Sequence, residues 1–225
     1  MKSWFSFYRY LTFCLIITGC SGYQLRNNEN PLAQYGISKL AMPIFLNRSS
    51  LPQVTGPVSR EFIELFNTFP GLTVYQSENA RADALLLGII TSDRDLRGGV
   101  KANSDQRQFV ESRDIGNRRR FLIPAQSVLI LKLRLVLIKD PNFFDKKVLL
   151  SKLGNYINAH PKVIFDKTID LNQSYNRSIL GKVDSPLDGG GIVNFTNNKG
   201  SEKIMISLAA KKAVKNFKEL VLNAF

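Results

Sequence analysis

Ala125 to Lys139 reads AQSVLILKLRLVLIK. Leu129, Leu131, Leu133, Leu135 and Leu137 recur at every second position. Alternate side chains on a strand share a face, so the pattern predicts a β-strand with an all-leucine face for a core. Val128, Ile130, Lys132, Arg134, Val136 and Ile138 take the other face. That face mixes apolar side chains with two cations. Lys132 and Arg134 read either as solvated charges beside a partly covered sheet or as a contact surface.

Upstream of this strand, Lys39 to Leu46 (KLAMPIFL) reads as a first strand, with Pro43 marking an edge position or a bulge. Asn47 to Ser50 is a turn. From Pro52 to Phe69 the apolar residues Val54, Val58, Phe62, Leu65 and Phe66 fall at helical spacing. Pro57 belongs in the first turn of that helix, which starts near Thr55 or Gly56, and Pro70-Gly71 ends it. Leu72 to Gln76 predicts a short strand. Ala84 to Leu96 starts apolar and then alternates, as a strand does on leaving a core. Gly98 to Pro124 is polar, charged and weakly patterned, with Arg118-Arg119-Arg120 near its end; it reads as a long loop or an extended, mobile hairpin.

Downstream, Asp140 to Pro161 is ambiguous, with a short helix around Lys147 to Ile157 as one reading. Lys162 to Tyr175 alternates and predicts another strand. Residues 176–200 are rich in Gly, Asn, Asp and Ser and read as a loop. Ser201 to Phe225 predicts a terminal helix, capped by Ser201 with Glu202 in its first turn. Its core stripe is Ile206, Ala210, Ala213, Phe217, Leu220, Val221 and Ala224, with Lys211, Lys212, Lys215 and Lys218 turned outward. No internal repeat is visible. The order of elements predicts an α+β two-layer sandwich: two α-helices packed on one face of a mainly four-stranded mixed β-sheet, in a single domain spanning 35–225.

The N-terminus carries different information. Lys2 and Arg9 precede an apolar run, Leu11 to Ile17, and no acid occurs before Cys20. This is the order of a secretory signal, and the run is far shorter than the roughly 20 residues a membrane span needs. Leu15-Ile16-Ile17-Thr18-Gly19-Cys20 resembles a bacterial lipobox. The resemblance implies cleavage after residue 19 and acylation of Cys20. Several acyl chains on one residue make a durable anchor. Residues 20–34 then read as a flexible tether, and Ser21 after the cysteine resembles an outer-membrane sorting signal.

Cys14 and Cys20 are the two cysteines of the chain. The first leaves with the signal and the second carries lipid, so the mature chain forms no internal disulfide. The formal charge is +13, and loss of Lys2 and Arg9 leaves +11. Such an excess points to an anionic partner. For a secreted lipoprotein, anionic lipid or lipopolysaccharide (LPS) fits better than nucleic acid; the plainer reading is a solvated basic surface.

Chemistry-bearing residues are few. His160 is the single histidine, beside Pro161, with no nucleophile-elbow pattern around any serine. Asp93 with Asp95, and Asp166 with Asp170, share strand faces, which alternation onto a wet face explains without a catalytic cleft. Gly189-Gly190-Gly191 lacks the Lys-Ser/Thr of a phosphate loop. We therefore expect no enzyme, no metal site, and no cofactor beyond covalent lipid on Cys20.

Three stretches, in order, carry a resemblance. Cys20-Ser21-Gly22-Tyr23-Gln24-Leu25-Arg26 resembles the mature start of the LPS-assembly lipoproteins, the LptE family, with Ser21 inserted. Leu40 to Ser49 (LAMPIFLNRS) is similar to that family's first strand. Ala82 to Ile90 (ADALLLGII) is similar to its Ala-Asp-Ala-x-Leu-x-Gly-x-Ile strand. The leucine-rich strand and the terminal amphipathic helix stand where the family has them. This chain is longer than the family pattern at 98–124 and 140–161.

The resemblance implies a plug inside the β-barrel LPS translocon, the LptD family, which assists barrel folding, binds LPS and sits on the periplasmic side of the outer membrane. Charge-assisted contacts with lipid A phosphates suit the basic excess. Arg94, Lys132 and Arg134 are the candidate LPS contacts, because they project from strands. The alternative is another envelope lipoprotein, a chaperone or anionic-polymer binder without a barrel partner. A hydrolase using Asp93 or Asp166 is a distant third.

The lipobox reading has a direct check. Cys20→Ser is expected to abolish incorporation of labelled palmitate and to weaken membrane attachment while leaving the fold intact. A palmitate-labelled variant, or a variant whose domain is unfolded by circular dichroism, would contradict it.

Overall fold

A computed structural model describes residues 29–79, 81–92, 100–115, 118–142, 161–177 and 195–222. The elements run β1 Lys39–Ala41, β2 Leu46–Asn47, α1 Thr55–Asn67, β3 Thr73–Tyr75, β4 Ala84–Ser92, β5 Val100–Ile115, β6 Arg118–Lys139, β7 Val163–Asn176 and α2 Phe195–Leu220. All seven strands join one mixed sheet, and the helices cover one face, as expected for an α+β two-layer sandwich.

The leucine-rich strand is the spine. One edge of β6 pairs antiparallel with β4, from Lys139 to Leu131, and then with β5 from Leu129 outward. Its other edge pairs antiparallel with β7, from Ile138 to Gln126. The far edge of β4 takes β1 and then β2, both parallel, and β3 lies parallel outside β1. The seven strands thus stand in five columns, more than the mainly four-stranded sheet expected. Two features account for the difference. The stretch 98–124, read as a long loop or an extended, mobile hairpin, is not a loop: β5 pairs antiparallel with β6 as an extended hairpin. The first strand is split at Met42–Phe45, around Pro43, into β1 and β2. Nor is β1 an edge: it lies between β3 and β4, and the break at Pro43 resembles a bulge in a paired region.

That break has a packing consequence. It turns Phe45 inward, where its N–H donates to the buried Ser59 Oγ at 3.0 Å. The Phe45 ring lies against Gly88 in the middle of β4, where a Cβ would come within 2.4 Å of it. Gly88 is therefore a strand glycine required by close approach.

The all-leucine face is a core. Leu129, Leu131, Leu133, Leu135 and Leu137 are each at most 1% exposed. Val54, Val58, Phe62, Leu65 and Phe66, the face expected from spacing, are all buried. From α2 come Met205, Ile206, Ala209, Ala210, Ala213 and Phe217. The small alanines let α2 approach the sheet closely, and Phe217 fills the centre. Its ring meets Phe62 at 5.4 Å, Phe165 at 5.7 Å and Phe66 at 6.0 Å between centroids, with tilted or edge contacts. One side chain thus joins α1, α2 and β7.

Several boundaries differ from expectation. Helix α2 starts at Phe195, so Ser201 is internal and does not cap it. Gly200 inside a helix costs about 1 kcal/mol relative to Ala; Lys199 and Glu202 pair across it at 3.2 Å. Leu220, expected on the core stripe, is 72% exposed because the helix ends there, and Leu222 is buried. Ala224 lies outside the described residues. Of the loop expected at 176–200, Asn176 belongs to β7 and residues 195–200 to α2; residues 178–194 lie outside the described residues. The domain also begins earlier than residue 35. Leu32 is fully buried, its N–H donates to Asn30 Oδ1 at 2.9 Å, and Asn30 Nδ2 donates to the Ile37 carbonyl at 2.7 Å. Lys147 to Ile157, the signal and Cys20 lie outside the described residues.

Truncation of the central ring should be costly. Phe217→Ala is expected to lower unfolding free energy by about 3–5 kcal/mol in urea denaturation. Gly88→Ala should also destabilise, by displacing Phe45, whereas Lys212→Ala on the outer face should stay within about 0.5 kcal/mol of the parent.

Candidate functional site

The sheet face turned away from the helices changes character along β6. Near Lys139 it carries a small buried apolar cluster of Ala41, Leu85, Leu87, Val136 and Ile138. This apolar half follows from alternation on β4 and β6 together, since Leu85 stands opposite Ile138 and Leu87 opposite Val136. Next along β6 comes Arg134, opposite Ile89 on β4 and Thr168 on β7. Its Nε donates to both Asp166 oxygens, at 2.9 and 3.1 Å, and its Nη2 donates to Asp166 Oδ2. Lys132 follows, exposed, opposite Thr91 and Asp170. Beyond it the cross-strand neighbours on β6 and β7 are Ile130 with Asn172, Val128 with Ser174, and Gln126 with Asn176.

The two candidate cations on this strand are thus not equivalent. Asp166 holds the Arg134 guanidinium above its ordinary pKa through the hydrogen bonds and its charge, against desolvation that pulls the other way. A fork occupied by a carboxylate is already satisfied and has little left for a phosphate. Lys132, a single step nearer the open polar half, keeps its ammonium exposed. Arg94, the third candidate, lies outside the described residues, as do Asp93, Asp95 and His160. Asp166 and Asp170, which share a face, are brought beside Arg134 and opposite Lys132. Both thus have a role in charge balance. Among the described residues no group of three or more His, Cys, Asp or Glu side chains gathers, and no helix is long and apolar enough to cross a membrane.

The start of β4 is tied separately. Asp83 Oδ2 accepts from Ser38 N at 2.9 Å, Ser38 Oγ at 2.9 Å and Lys39 N at 2.8 Å. These bonds lock the entry of β1 to the entry of β4. The Ser38 backbone N–H is the main cause holding the Asp83 carboxyl below its ordinary value of 3.8. Partial burial opposes it, and the Ser38 hydroxyl, Lys39 N–H and Lys39 charge assist. The aspartate of the ADALLLGII stretch is therefore a fold-fixing residue.

A third feature lies where α1 and α2 both begin. Gln53, Pro57, Lys199, Lys203 and Ile206 line a groove of about 530 Å³. The Gln53 Oε1 atom is buried there and has no hydrogen-bond partner among the described residues. Spacing gave no sign of this groove, since its two walls are more than 140 residues apart in sequence. The partner of Arg134 was half legible: Asp166 stands on an alternating strand, and only the register of β7 against β6 brings the two together.

No protein-family model and no curated protein matches the sequence. Among solved structures, a lipoprotein from Caulobacter crescentus shares 8% identity over 80% of this chain and 89% of its own, with a TM-score of 0.35. Rare lipoprotein B from Shewanella oneidensis shares 11% identity over 81% of this chain and 98% of its own, with a TM-score of 0.32. A minor lipoprotein from Acinetobacter baumannii shares 11% over 82% and 92%, with a TM-score of 0.33. All three are bacterial lipoproteins. TM-scores in this range are too low to transfer a contact residue or a partner.

Two substitutions test the electrostatics. Asp166→Asn strands the Arg134 charge in a partly covered site and should cost about 1–2 kcal/mol, discounted for its exposure. A depressed carboxyl stabilises above the unfolded-state value and ceases to as pH falls through the lower folded-state value. Asp83→Asn should therefore be less stable than the parent at pH 7. The gap should close below pH 3.8; urea titrations across that range measure it, and a gap unchanged in acid would refute the role.

Proposed function

We propose that this chain is a non-catalytic envelope lipoprotein, anchored through Cys20 on the periplasmic side of the outer membrane. In this reading it plugs and helps assemble the β-barrel LPS translocon of the LptD family and binds LPS during delivery to the outer leaflet. The observation that carries the reading is spatial. Two of the stretches that resemble the LPS-assembly lipoproteins are neighbours in the fold: Leu40 pairs with Ala84 and Ala41 with Leu85. The leucine-rich strand then pairs along the other edge of the second stretch, and the amphipathic helix covers it. Separate matches of composition have no reason to meet in one sheet in this order.

The tether adds a constraint. From Cys20 to Glu29, where the described chain begins, nine residue steps span at most about 32 Å. A lipid on Cys20 therefore keeps the domain close to the membrane, as a plug needs and a diffusing carrier does not. The excess of cations suits an anionic glycolipid. Lys132 is the foremost contact, Arg94 a second, and Arg134 acts through its pair with Asp166, which fixes the face beside Lys132. A chaperone or anionic-polymer binder without a barrel partner remains the rival, and it predicts an isolated monomer.

Extraction in mild detergent followed by affinity purification should yield a stoichiometric complex with a large β-barrel protein. Lys132→Glu should lower LPS recovered in the pull-down several-fold while the barrel is retained. A monomer with no barrel would overturn the plug reading; unchanged LPS recovery would remove Lys132 from the site.

A further inference from the structure

The outward face of α2 carries apolar side chains among its lysines. Its inward stripe, with Met205, Ala209, Ala213 and Phe217, is buried. At about 100° per residue, Ile204, Leu208, Lys211 and Lys215 fall in one row on the opposite side. Ile204 is 63% exposed and Leu208, one turn on, is 48% exposed. Lys203 and Lys212 flank the row; both are exposed, as are Lys211 and Lys215. The helix has six lysines against two glutamates. Glu202 is held by Lys199 at 3.2 Å and Glu219 lies 3.9 Å from Lys215. From Lys203 to Lys218 there is no acid.

Two exposed apolar side chains are too little for a stable protein interface, which takes about 800 Å² from each partner. A second copy of this chain would set lysine against lysine. A bilayer surface asks for less. Apolar side chains enter the headgroup boundary, lysine stems lie along it, and ammonium groups meet lipid phosphates. Each contact is weak. Weak contacts are enough for a chain already tethered to the same surface, because the second binding event is then intramolecular.

The chain enters the fold on the helix side of the sheet. Leu32 and Ile37 are buried in the core that α2 covers. The C-terminal half of α2 lies at that end. Phe217 meets Phe165 at 5.7 Å, Phe165 stands opposite Leu137, and Lys139, two residues on, holds the Tyr35 carbonyl. From Phe217 back to Ile204 the helix rises about 20 Å. The nine residue steps from Cys20 to Glu29 reach about 32 Å. A lipid on Cys20 can therefore enter a bilayer that lies along the whole of this row.

We propose that the outward face of α2 is a second, peripheral membrane contact, which lays the domain on the anionic phospholipid surface that holds its anchor. Ile204 and Leu208 enter the headgroup boundary, and Lys203, Lys211, Lys212 and Lys215 take up phosphates. The proposal rests on the Cys20 anchor and not on the barrel. It concerns the lipidated chain before it meets a partner.

Trp4 is the single tryptophan of the chain and leaves with the signal. Leu208→Trp therefore gives the mature, lipidated chain one fluorescent reporter on this face. The full chain is added to vesicles of phosphatidylcholine, with and without phosphatidylglycerol, whose acyl chains are brominated near the headgroup. We expect emission to shift to the blue, with several-fold stronger quenching, in the vesicles that contain phosphatidylglycerol. Added salt should reverse both, and K211E/K212E/K215E should abolish both with unchanged melting. No shift in either vesicle, equal quenching in the two, or quenching that survives charge reversal overturns the proposal. So does a shift that needs LPS in the vesicle or an added protein. Flotation of the parent chain with phosphatidylcholine alone checks the anchor separately. A chain that fails to float there contradicts the anchor, and the phosphatidylglycerol vesicles still decide the helix face. These vesicles hold no barrel, so either result leaves the plug reading to its own purification test.

Discussion

Everything in this fold hangs on β6 being hydrogen-bonded along both edges while its leucines face one way. A strand in that position has no freedom of register. Slipping β4 or β7 by one residue would turn its apolar set to the wrong side of the sheet. The five leucines bring the two helices onto one face, and Phe217 closes the contact between them by meeting Phe62, Phe66 and Phe165 at once. Stability of the described residues rests on this core. The long antiparallel pairings are non-local, and their closure is entropically expensive. Asp83 offsets part of that by holding the entries of β1 and β4 together through three hydrogen bonds.

The opposite face has a different logic. Its apolar half is covered, its polar half is open, and the Arg134–Asp166 pair stands at the border. A partly covered ion pair contributes little net stability, because loss of hydration offsets attraction. Its effect is local: it fixes an arginine fork against its own sheet and leaves the neighbouring lysine exposed. Two cations one turn of the pleat apart thus have opposite availabilities. Charge counted along the sequence overstates what this face can offer to an anion.

The molecule also has two distinct ends. The chain enters through the turn at Asn30 to Ile37, which Lys139 holds by a bond from its Nζ to the Tyr35 carbonyl at 2.7 Å. That is the β4-entry end of β6. The other end of β6 is extended as a pair with β5, and the groove between the starts of α1 and α2 lies away from the Phe217 contact on both helices. Chain entry at one end of β6 and the two-stranded extension of β5 and β6 at the other give the sheet an axis.

The period of two in Ala125 to Lys139 was enough to determine a strand with one core face. The spacing of Val54 to Phe66 was enough for a helix and its buried side. Both are local consequences of backbone geometry, where the side-chain direction repeats with residue number. The two-layer α+β class follows from adding them, as does the need for a second helix near the C-terminus. Weakly patterned stretches were another matter. β5 has no alternation strong enough to mark it; it is a strand because β6 offers it an edge. Helix α2 runs six residues ahead of Ser201, through a buried Asn198 and Gly200, which no local signal marks. Lys132 and Arg134 looked alike in sequence, since nothing near them in the chain distinguishes them. Their difference comes from Asp166, 32 residues after Arg134, placed by the register of β7. Sequence fixes what is periodic and near; who stands across the next strand is settled by pairing, which depends on the whole sheet.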